Sequence, residues 1–323
     1  MPPRSPLPPR LGLDAAWLCT EDKDGGAPRP WPLMRDWLVH RVGAHIDVDA
    51  FIAEGRFVTE SGAPVRASDP YAPHTFVWFH RELREEAAVP GEVRIISRDE
   101  RIVVLDKPPF LASIPRGRHV SESVVVRMRH ELGLPELTPM HRLDRITSGL
   151  LLMATERRWR GAYQSMFMRG DVTKTYHAVA AIREDLALPV TVRNHLSKTR
   201  GVWQAAVDPD AAPNSESLIE LERELNPAEE AVLGEGPRRG IYRLTPRTGK
   251  THQLRMHLWG LGIPIEGDPL YPTVLDAPVD DFSTPLQLLA SGLRFTDPVD
   301  GTARTFVSTR ELPVQSENSV SSH

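Results

Sequence analysis

The chain has 323 residues, 40% of them hydrophobic and 25% charged, a balance that excludes a disordered or fibrous protein and a length that suits about two domains. Its net charge is −4, from 39 basic and 43 acidic residues. Nine of the acids lie between Asp208 and Glu235, so the charge of the rest of the chain permits a nucleic-acid partner without requiring one.

The single cysteine, Cys19, excludes an intramolecular disulfide and a metal site with several thiolate ligands, and it fits a reducing compartment. No run of residues approaches the ~18 apolar residues of a membrane span. The N-terminus lacks the apolar core of a signal peptide. We therefore expect a cytoplasmic protein with no membrane partner.

The N-terminal part of the chain predicts an arm and a small unit. Five prolines precede Leu11, and because proline fixes φ and removes a backbone donor, residues 1–30 are predicted to be a disordered arm. Residues 31–88 predict two short helices, at 34–42 and 48–54, followed by strand-like segments. A packing appendage and an RNA-binding module are both open for this unit.

The remaining chain predicts an α+β domain over 95–312, because helix and strand patterns are mixed without regular βαβ order. A strand at 101–105 ends at two prolines, and a polar, flexible tail is predicted at 313–323. The other expected elements are helices at 121–132, 156–169 and 251–259, a strand at 173–182, and several strands between 190 and 245. The acidic stretch 226–236, NPAEEAVLGEG, is predicted to be a surface loop.

The densest polar cluster is PMHRLDRITSGLLLMA, residues 139–154, where Asp144 lies between Arg142 and Arg145 ahead of an apolar strand. A charged loop leading into a strand is one interpretation. The other is a carboxylate that its cationic neighbours keep ionised, which is what a carboxylate nucleophile requires.

A second cluster is RTGKTHQLRMHL, residues 247–258, which supplies several cations at the predicted start of a helix. Such a helix N-terminus can bind an anion such as a backbone phosphate. It lacks the first glycine of a nucleotide-binding P-loop, and His252 and His257 are five residues apart, which is not the spacing of a helical zinc pair.

These motifs resemble the RluA family of pseudouridine synthases. HRLDRITSGLLL is similar to the family's H-R-L-D-x-x-T-S-G-L-L signature, and the rest of the resemblance, over about 95–310, follows in the family's order: IVVLDKPPFLASIP, KTYHAVA, RTGKTHQLRMHLWGLGIPIEGDPLY and LLASGLRFTDP. Lys250 stands where the family usually has arginine, and Ser291 and Asp297 stand near positions where histidine is common.

The resemblance implies a pseudouridine synthase fold, with a mixed, mostly antiparallel central sheet flanked by helices. It implies that 95–312 is the catalytic domain and that 31–88 is a small S4-like, RNA-binding domain. The implied activity is isomerisation of specific uridines to pseudouridine in structured rRNA or tRNA, without cofactor or metal. We expect the protein to act as a monomer.

The resemblance also implies the site residues. Asp144 is the essential carboxylate, which attacks C1′ or helps remove the 2′ proton to give a glycal. Arg255 keeps Asp144 ionised and orients it. Tyr176 lies against the uracil ring, and its help in removing the C5 proton after the uracil rotates is left open. The implied substrate contacts are Arg142, which fills the space of an extruded uridine, Leu152 in the wall of the uracil pocket, Lys174, Lys250 and His252.

Two other functions are weighed against this one. A catalytically silent RNA-binding protein on the same fold is the alternative, and the presence of Asp144, Tyr176 and Arg255 favours the enzyme. A glycoside hydrolase with paired carboxylates is disfavoured, because no second carboxylate stands in a comparable polar motif.

Overall fold

The computed structural model describes residues 3–316 apart from residues 22, 25–26, 29–30, 43–45, 84, 118, 277 and 279. The chain folds as two compact units, Met1–Glu86 and Ala87–His323. The prediction of a flexible tail falls partly on residues 317–323, which lie outside the described residues.

The described residues of the first unit form two helices and five short strands: α1 (Met34–Val42), α2 (Val48–Ala53), β1 (Ala16–Cys19), β2 (Lys23–Asp24), β3 (Ala27–Pro28), β4 (Val58–Thr59) and β5 (Phe76–Phe79). The strands β1, β5 and β4 form an antiparallel sheet in that order. The core of this unit includes Trp37 and Leu38 of α1, together with Phe51 of α2.

The structure corrects the prediction that residues 1–30 are a disordered arm. Residues 16–19 form β1, which pairs with β5 from Ala16 opposite Phe79 to Cys19 opposite Phe76. The segment AWLC contains no proline, so each of its residues can offer a backbone N–H to the neighbouring strand. The proline content of the first ten residues does not extend to this segment.

Where the structure describes it, the second unit contains an 11-stranded sheet and five helices. The strands are β6 (Arg94–Arg98), β7 (Ile102–Lys107), β8 (Thr138–Pro139), β9 (Ser148–Ala154), β10 (Val172–Ala181), β11 (Val190–Ser197), β12 (Ala206–Asp208), β13 (Ser215–Glu224), β14 (Arg239–Pro246), β15 (Leu288–Thr296) and β16 (Ala303–Val307). The helices are α3 (Val124–Leu132), α4 (Arg157–Arg169), α5 (Pro227–Leu233), α6 (Gln253–Gly260) and α7 (Pro313–Ser316).

The strand order of the large sheet is β12-β11-β13-β14-β10-β15-β9-β7-β6, with β16 paired to β15 and β8 to β9. The β9–β15 pair is parallel, and the other pairings described in this sheet are antiparallel. The predicted mixed and mostly antiparallel α+β fold is therefore confirmed.

Strand β9 lies in the core, with all seven residues buried. Alternate residues of a strand point to opposite faces. Leu151 and Met153 join a core cluster that also contains residues of α3 and α6, whereas Leu150 and Leu152 join a second cluster with Tyr163 of α4. Helices thus cover both faces of the sheet, and the turn that precedes β9 is attached to a rigid element.

The structure also corrects the prediction that residues 226–236 are a surface loop. They contain α5, which begins with a capping box between Asn226 and Glu229. The Glu229 side chain is 4% exposed and pairs with Arg223 at 2.6 Å. An acidic composition suggested a loop, but this glutamate is a buried helix-capping residue rather than a phosphate-repelling surface charge.

The structure corrects the start of the predicted tail at residue 313. Residues 313–316 form α7, and Val314 is fully buried in a cluster with Leu289 of β15. The described part of the predicted tail is therefore ordered, because an apolar residue within a polar segment is buried against the sheet.

Candidate active site

Asp144 lies in the turn that leads into β9. Its carbonyl oxygen accepts a hydrogen bond from the Thr147 N–H at 3.1 Å, and its side chain is 29% exposed. At Gly149 φ is +110°, and a side chain there would collide with the backbone of Ala290 in β15. The close approach of β9 and β15 therefore requires glycine at this position, directly after the turn that contains Asp144.

Lys107, the last residue of β7, supports this turn and was not predicted to have a role. It is fully buried, and its ammonium donates to the carbonyl oxygens of Pro108, Leu111 and Arg145 at 2.9, 2.8 and 2.9 Å. These bonds use all three N–H groups. Burial lowers the pKa of Lys107, and the charge of the nearby Asp144 opposes that shift. Because Arg145 directly follows Asp144, Lys107 fixes the backbone of the turn.

We expect Lys107→Met to lower the free energy of unfolding by about 2–3 kcal/mol, because three buried carbonyl oxygens lose their donor. Urea denaturation followed by circular dichroism measures this change. Lys250→Met is the matched control, since Lys250 is exposed, and it should change stability by less than about 0.5 kcal/mol. Equal stability of the two variants would contradict the role given to Lys107.

Arg255 binds the Asp144 carboxylate from α6. Its side chain is 2% exposed, and Nη1 donates to Asp144 Oδ2 at 3.2 Å. The other edge of the guanidinium donates from Nε and Nη2 to the two oxygens of Asp268 at 2.7 and 2.6 Å. Burial opposes the charge of Arg255, but the two carboxylates outweigh it and raise its pKa. Arg255 is therefore a fixed cation between two carboxylates.

Asp268 is a site residue that the sequence reasoning missed. Its side chain is 1% exposed, and besides Arg255 it accepts the N–H groups of Leu270 at 2.8 Å and Tyr271 at 3.2 Å. The preceding Gly267 has φ of +73°, and a side chain there would collide with the carbonyl of Pro285. The only sequence signal was a carboxylate in the matched segment GIPIEGDPLY, which does not show what that carboxylate binds.

His252, the residue before α6, faces the carboxylate of Asp144. Its Nδ1 lies 2.9 Å from the Tyr271 hydroxyl, whose oxygen accepts the Ala205 N–H at 2.7 Å. Its Nε2 lies 3.9 Å from Asp144 Oδ2. Burial lowers the pKa of His252, although the charge of Asp144 opposes it. When the Tyr271 hydroxyl donates to Nδ1, the neutral ring carries its proton on Nε2 and directs it toward Asp144.

Tyr176 lies on β10, next to an irregularity in the pairing of β10 with β15 between Thr175 and Tyr176. Its ring is partly buried and packs against the core cluster that contains Leu244. Burial, and then the charge of Asp144, raise the pKa of Tyr176, so the phenol keeps its proton at neutral pH. The structure thus brings Asp144, Tyr176 and Arg255 together from a turn, a strand and a helix.

Comparison with known proteins identifies the family of the chain. The family described as RNA pseudouridylate synthase matches residues 101–259, a range that contains Asp144, Tyr176 and Arg255. The dual-specificity RNA pseudouridine synthase RluA of Vibrio parahaemolyticus is 32% identical over 210 residues, which are 63% of this chain and 78% of that protein. The chain belongs to the RNA pseudouridylate synthase family.

Two further comparisons define the extent of the likeness. Pseudouridylate synthase RPUSD2 of Homo sapiens is 31% identical over 198 residues, which are 60% of this chain but 34% of the human protein. The structure of Human RNA Pseudouridylate Synthase Domain Containing 1 has 24% identity and a TM-score of 0.52 over 69% of this chain and 86% of that one, so it shares the fold. The predicted RluA-type family and its fold are confirmed, and this synthase is an RNA isomerase.

The predicted RNA contacts of the synthase differ in their surroundings. Arg142 and Lys250 are exposed, and neither side chain has a partner among the residues that the structure describes. Lys174 instead is partly buried, donates to the Thr248 carbonyl at 2.8 Å, and has its pKa lowered to about 8 by burial. Lys174 therefore supports the loop ahead of α6 and does not stand free for a phosphate.

The prediction that Leu152 lines the uracil pocket is wrong for this structure. Leu152 is fully buried and packs with Tyr163 and Met166 of α4. Tyr176 packs against the cluster on the other face of the sheet, to which Leu151 also belongs. A one-residue step along a strand changes the face, and the motif alone did not show which face carries the synthase site.

His141 has a structural role in the synthase. Its Nε2 accepts the Leu152 N–H at 3.1 Å, and its ring stacks on Phe167 with centroids 4.7 Å apart. Burial lowers the pKa of His141 to about 3. The ring is therefore neutral and replaces a backbone acceptor for β9.

Gln253 occupies the place where an anion was expected. Its Oε1 accepts the Lys250 N–H at 3.0 Å and the Thr248 hydroxyl at 2.7 Å. Its Nε2 donates to the Glu216 carbonyl at 3.0 Å and to Ser217 Oγ at 2.8 Å. A side-chain amide rather than a phosphate thus satisfies this loop, and α6 begins at residue 253, two residues later than predicted.

Within the described ranges, no group of three or more His, Cys, Asp or Glu side chains is placed to hold a metal ion. The two histidines of the second polar cluster lie apart from one another in their contacts. His252 faces Asp144, whereas Nε2 of the buried His257 lies 3.0 Å from Asn194 Oδ1 and 3.1 Å from Ser215 Oγ.

No helix among the described residues is long and apolar enough to cross a membrane.

Proposed function

We propose that this synthase isomerises specific uridines in structured rRNA or tRNA, with Asp144 as the essential carboxylate. The observation that supports this most is the difference in exposure within one ion-pair cluster. Asp144 is 29% exposed, whereas Arg255 and Asp268 are 2% and 1% exposed. One carboxylate therefore reaches the surface, and the groups that orient it are buried and fixed.

The free oxygen of Asp144 is the reactive atom. Oδ2 accepts the hydrogen bond from Arg255, and Oδ1 has no partner among the described residues. Oδ1 can form a bond to C1′ of the ribose as the C1′–N1 bond breaks, or it can accept the 2′ proton to give a glycal. In both routes the uracil then rotates and a C1′–C5 bond forms. In the first route the Oδ1–C1′ bond breaks as C1′–C5 forms, and in the second the proton on Oδ1 returns to C2′. The proton on C5 leaves and N1 gains one, so the reaction is an isomerisation that needs no external oxidant or reductant.

Tyr176 serves as a contact for the uracil ring in this proposal. Its proximity to Asp144 and its raised pKa favour a protonated phenol that packs against the base or donates a hydrogen bond to it. The same raised pKa disfavours a phenolate that would take the C5 proton at neutral pH. The exposure of Arg142, two residues before Asp144, supports the proposal that its side chain enters the space of an extruded nucleotide.

The connection between β11 and β12 adds an aromatic and basic surface. Trp203 is 72% exposed, and Lys198 and Arg200 are also exposed. The Ala205 N–H donates to the Tyr271 hydroxyl at 2.7 Å, and this bond links the connection to the residue that contacts His252. Unpaired bases stack on exposed aromatic rings, and nearby cations bind the phosphate backbone. We expect this connection to contact RNA.

We expect Trp203→Ala to weaken binding of a stem-loop RNA with an unpaired, uridine-containing loop by about tenfold, because one base loses its stacking partner. Fluorescence anisotropy at fixed salt measures the affinity. Met168→Ala is the matched control, since Met168 on α4 is an apolar side chain that is 80% exposed. The same affinity for both variants would remove this connection from the RNA interface.

We also propose the wider setting of the enzyme. Residues 31–88 would act as a small S4-like RNA-binding domain, in addition to the catalytic domain, 95–312. The single cysteine supports a reducing compartment, and we propose that the enzyme works in the cytoplasm as a monomer. A pseudouridine-mapping experiment would identify the RNA and the uridine on which it acts.

That experiment compares pseudouridine maps of total RNA from cells with and without the gene. We expect one or a few sites to disappear and to return when wild-type protein is supplied, but not when the Asp144→Asn variant is supplied. Unchanged maps would favour the alternative, a catalytically silent RNA-binding protein on the same fold.

A further inference from the structure

We propose that Asp268 is a positioning residue that keeps Asp144 reactive by taking the bidentate edge of Arg255. The inference rests on the proposed role of Asp144 and extends it to a carboxylate that does not touch the substrate. Three observations carry it: how the guanidinium divides its donors, how the charges are buried, and how firmly Asp268 is held.

The guanidinium divides its donors unequally between the two carboxylates. A bidentate arrangement, with two parallel N–H bonds, is the strongest contact that arginine makes to a carboxylate. Arg255 makes that contact to Asp268 at 2.7 and 2.6 Å. Asp144 receives one longer bond, at 3.2 Å from Nη1. The arginine therefore orients Asp144 without enclosing both of its oxygens.

The charges of Asp268, Arg255 and Asp144 also favour a reactive Asp144. One cation lies between two carboxylates, so its charge is shared between them. The Arg255–Asp268 pair is almost fully buried, where solvent screens little, whereas Asp144 is partly exposed. If the charge of Asp268 were absent, the whole positive charge of Arg255 would act on Asp144. A carboxylate neutralised in this way is a weaker nucleophile and a weaker base.

Asp268 cannot easily release the arginine. Its Oδ1 also accepts the N–H groups of Leu270 and Tyr271, so four donors converge on one carboxylate. The backbone around it is shaped by Gly267, whose left-handed φ admits no side chain. The bidentate edge of Arg255 thus stays on Asp268, and the single Nη1 donor stays on Asp144.

Neutral substitutions of Asp268 test this role. In Asp268→Asn and Asp268→Ser, the bidentate edge of Arg255 is released toward Asp144. We expect the single-turnover rate to fall by at least about tenfold and the acid limb of the pH–rate profile to move to lower pH by about one unit, with RNA affinity within about twofold of wild type. The substrate is a transcript of the RNA in which the maps locate the missing pseudouridine.

Asp268→Glu is the matched control, because it retains the charge. Its rate can fall through altered geometry, but its acid limb should stay at the wild-type position. An unmoved acid limb in a folded neutral variant, or failure of both neutral variants to fold, would overturn the proposal and leave Asp268 as a structural residue. Failure of the proposed function looks different, since wild-type protein would then form no pseudouridine in any RNA.

Discussion

The Asp144→Asn variant is expected to fold and to bind RNA but to lose pseudouridine formation by about 10⁴-fold or more. Asparagine keeps the size of the side chain and can still accept the Arg255 N–H, so the cluster stays packed. It cannot act as a nucleophile or as a base. Release of tritium from RNA labelled at uridine C5 measures the reaction, because that hydrogen leaves when C5 bonds to C1′.

Asp171→Asn is the matched control for this variant. Asp171 is an exposed aspartate that also pairs with an arginine, Arg169, at 2.7 Å, but it follows α4, which covers the opposite face of the sheet from Tyr176. Its tritium release should equal that of wild type. A folded Asp144→Asn enzyme that binds RNA and releases tritium near the wild-type rate would contradict both the site and the mechanism.

Arg255→Ala is expected to have the second largest effect, on turnover and on stability together. It removes the cation that orients Asp144, and it leaves Asp268 buried without a charged partner, which should cost about 3–5 kcal/mol of stability. Among molecules that remain folded, turnover should fall by about 10³-fold, far more than RNA affinity. Thermal unfolding and single-turnover tritium release measure the two effects separately.

Arg255→Lys separates charge from geometry. Lysine keeps the positive charge but has no planar fork, so it cannot serve both carboxylates as arginine does. We expect a stable protein with turnover reduced by about 10²-fold. Arg247→Ala is the control, since Arg247 is 78% exposed, and its turnover at saturating RNA should be unchanged. Equal losses of affinity and turnover in Arg255→Ala would mark Arg255 as an ordinary phosphate-binding residue.

Several elements could be predicted from short stretches of sequence. Helices α3 and α4 were expected at 121–132 and 156–169 and are observed at Val124–Leu132 and Arg157–Arg169. The glycine that follows each helix predicts its C-terminal end, because helices commonly end at a residue with left-handed φ, which favours glycine. Gly133 and Gly170 adopt such φ values, +64° and +77°. Such signals are complete within a few residues and need no distant partner.

Two predictions made from average composition were wrong. The acidic composition of 226–236 predicted a loop, but the segment contains the capping box of α5. The prolines near the N-terminus predicted a disordered arm, but the segment after them forms β1. In both, the decisive feature was a specific contact, Glu229 with Arg223 or β1 with β5. Average charge or proline content does not encode such a contact.

The sequence by itself predicted which side chains would carry the chemistry, because its motifs resemble a family signature that implies Asp144, Tyr176 and Arg255. Tertiary structure alone decided how they are supported. Asp144 and Arg255 are 111 residues apart, and their contact depends on the order of the strands between them. The same sheet order brings Asp268 to the far edge of Arg255, whereas alternation along β9 sends Leu152 to the opposite face. A short stretch of sequence shows which side chains are present. Which two carboxylates the Arg255 guanidinium contacts depends on which distant elements pack together.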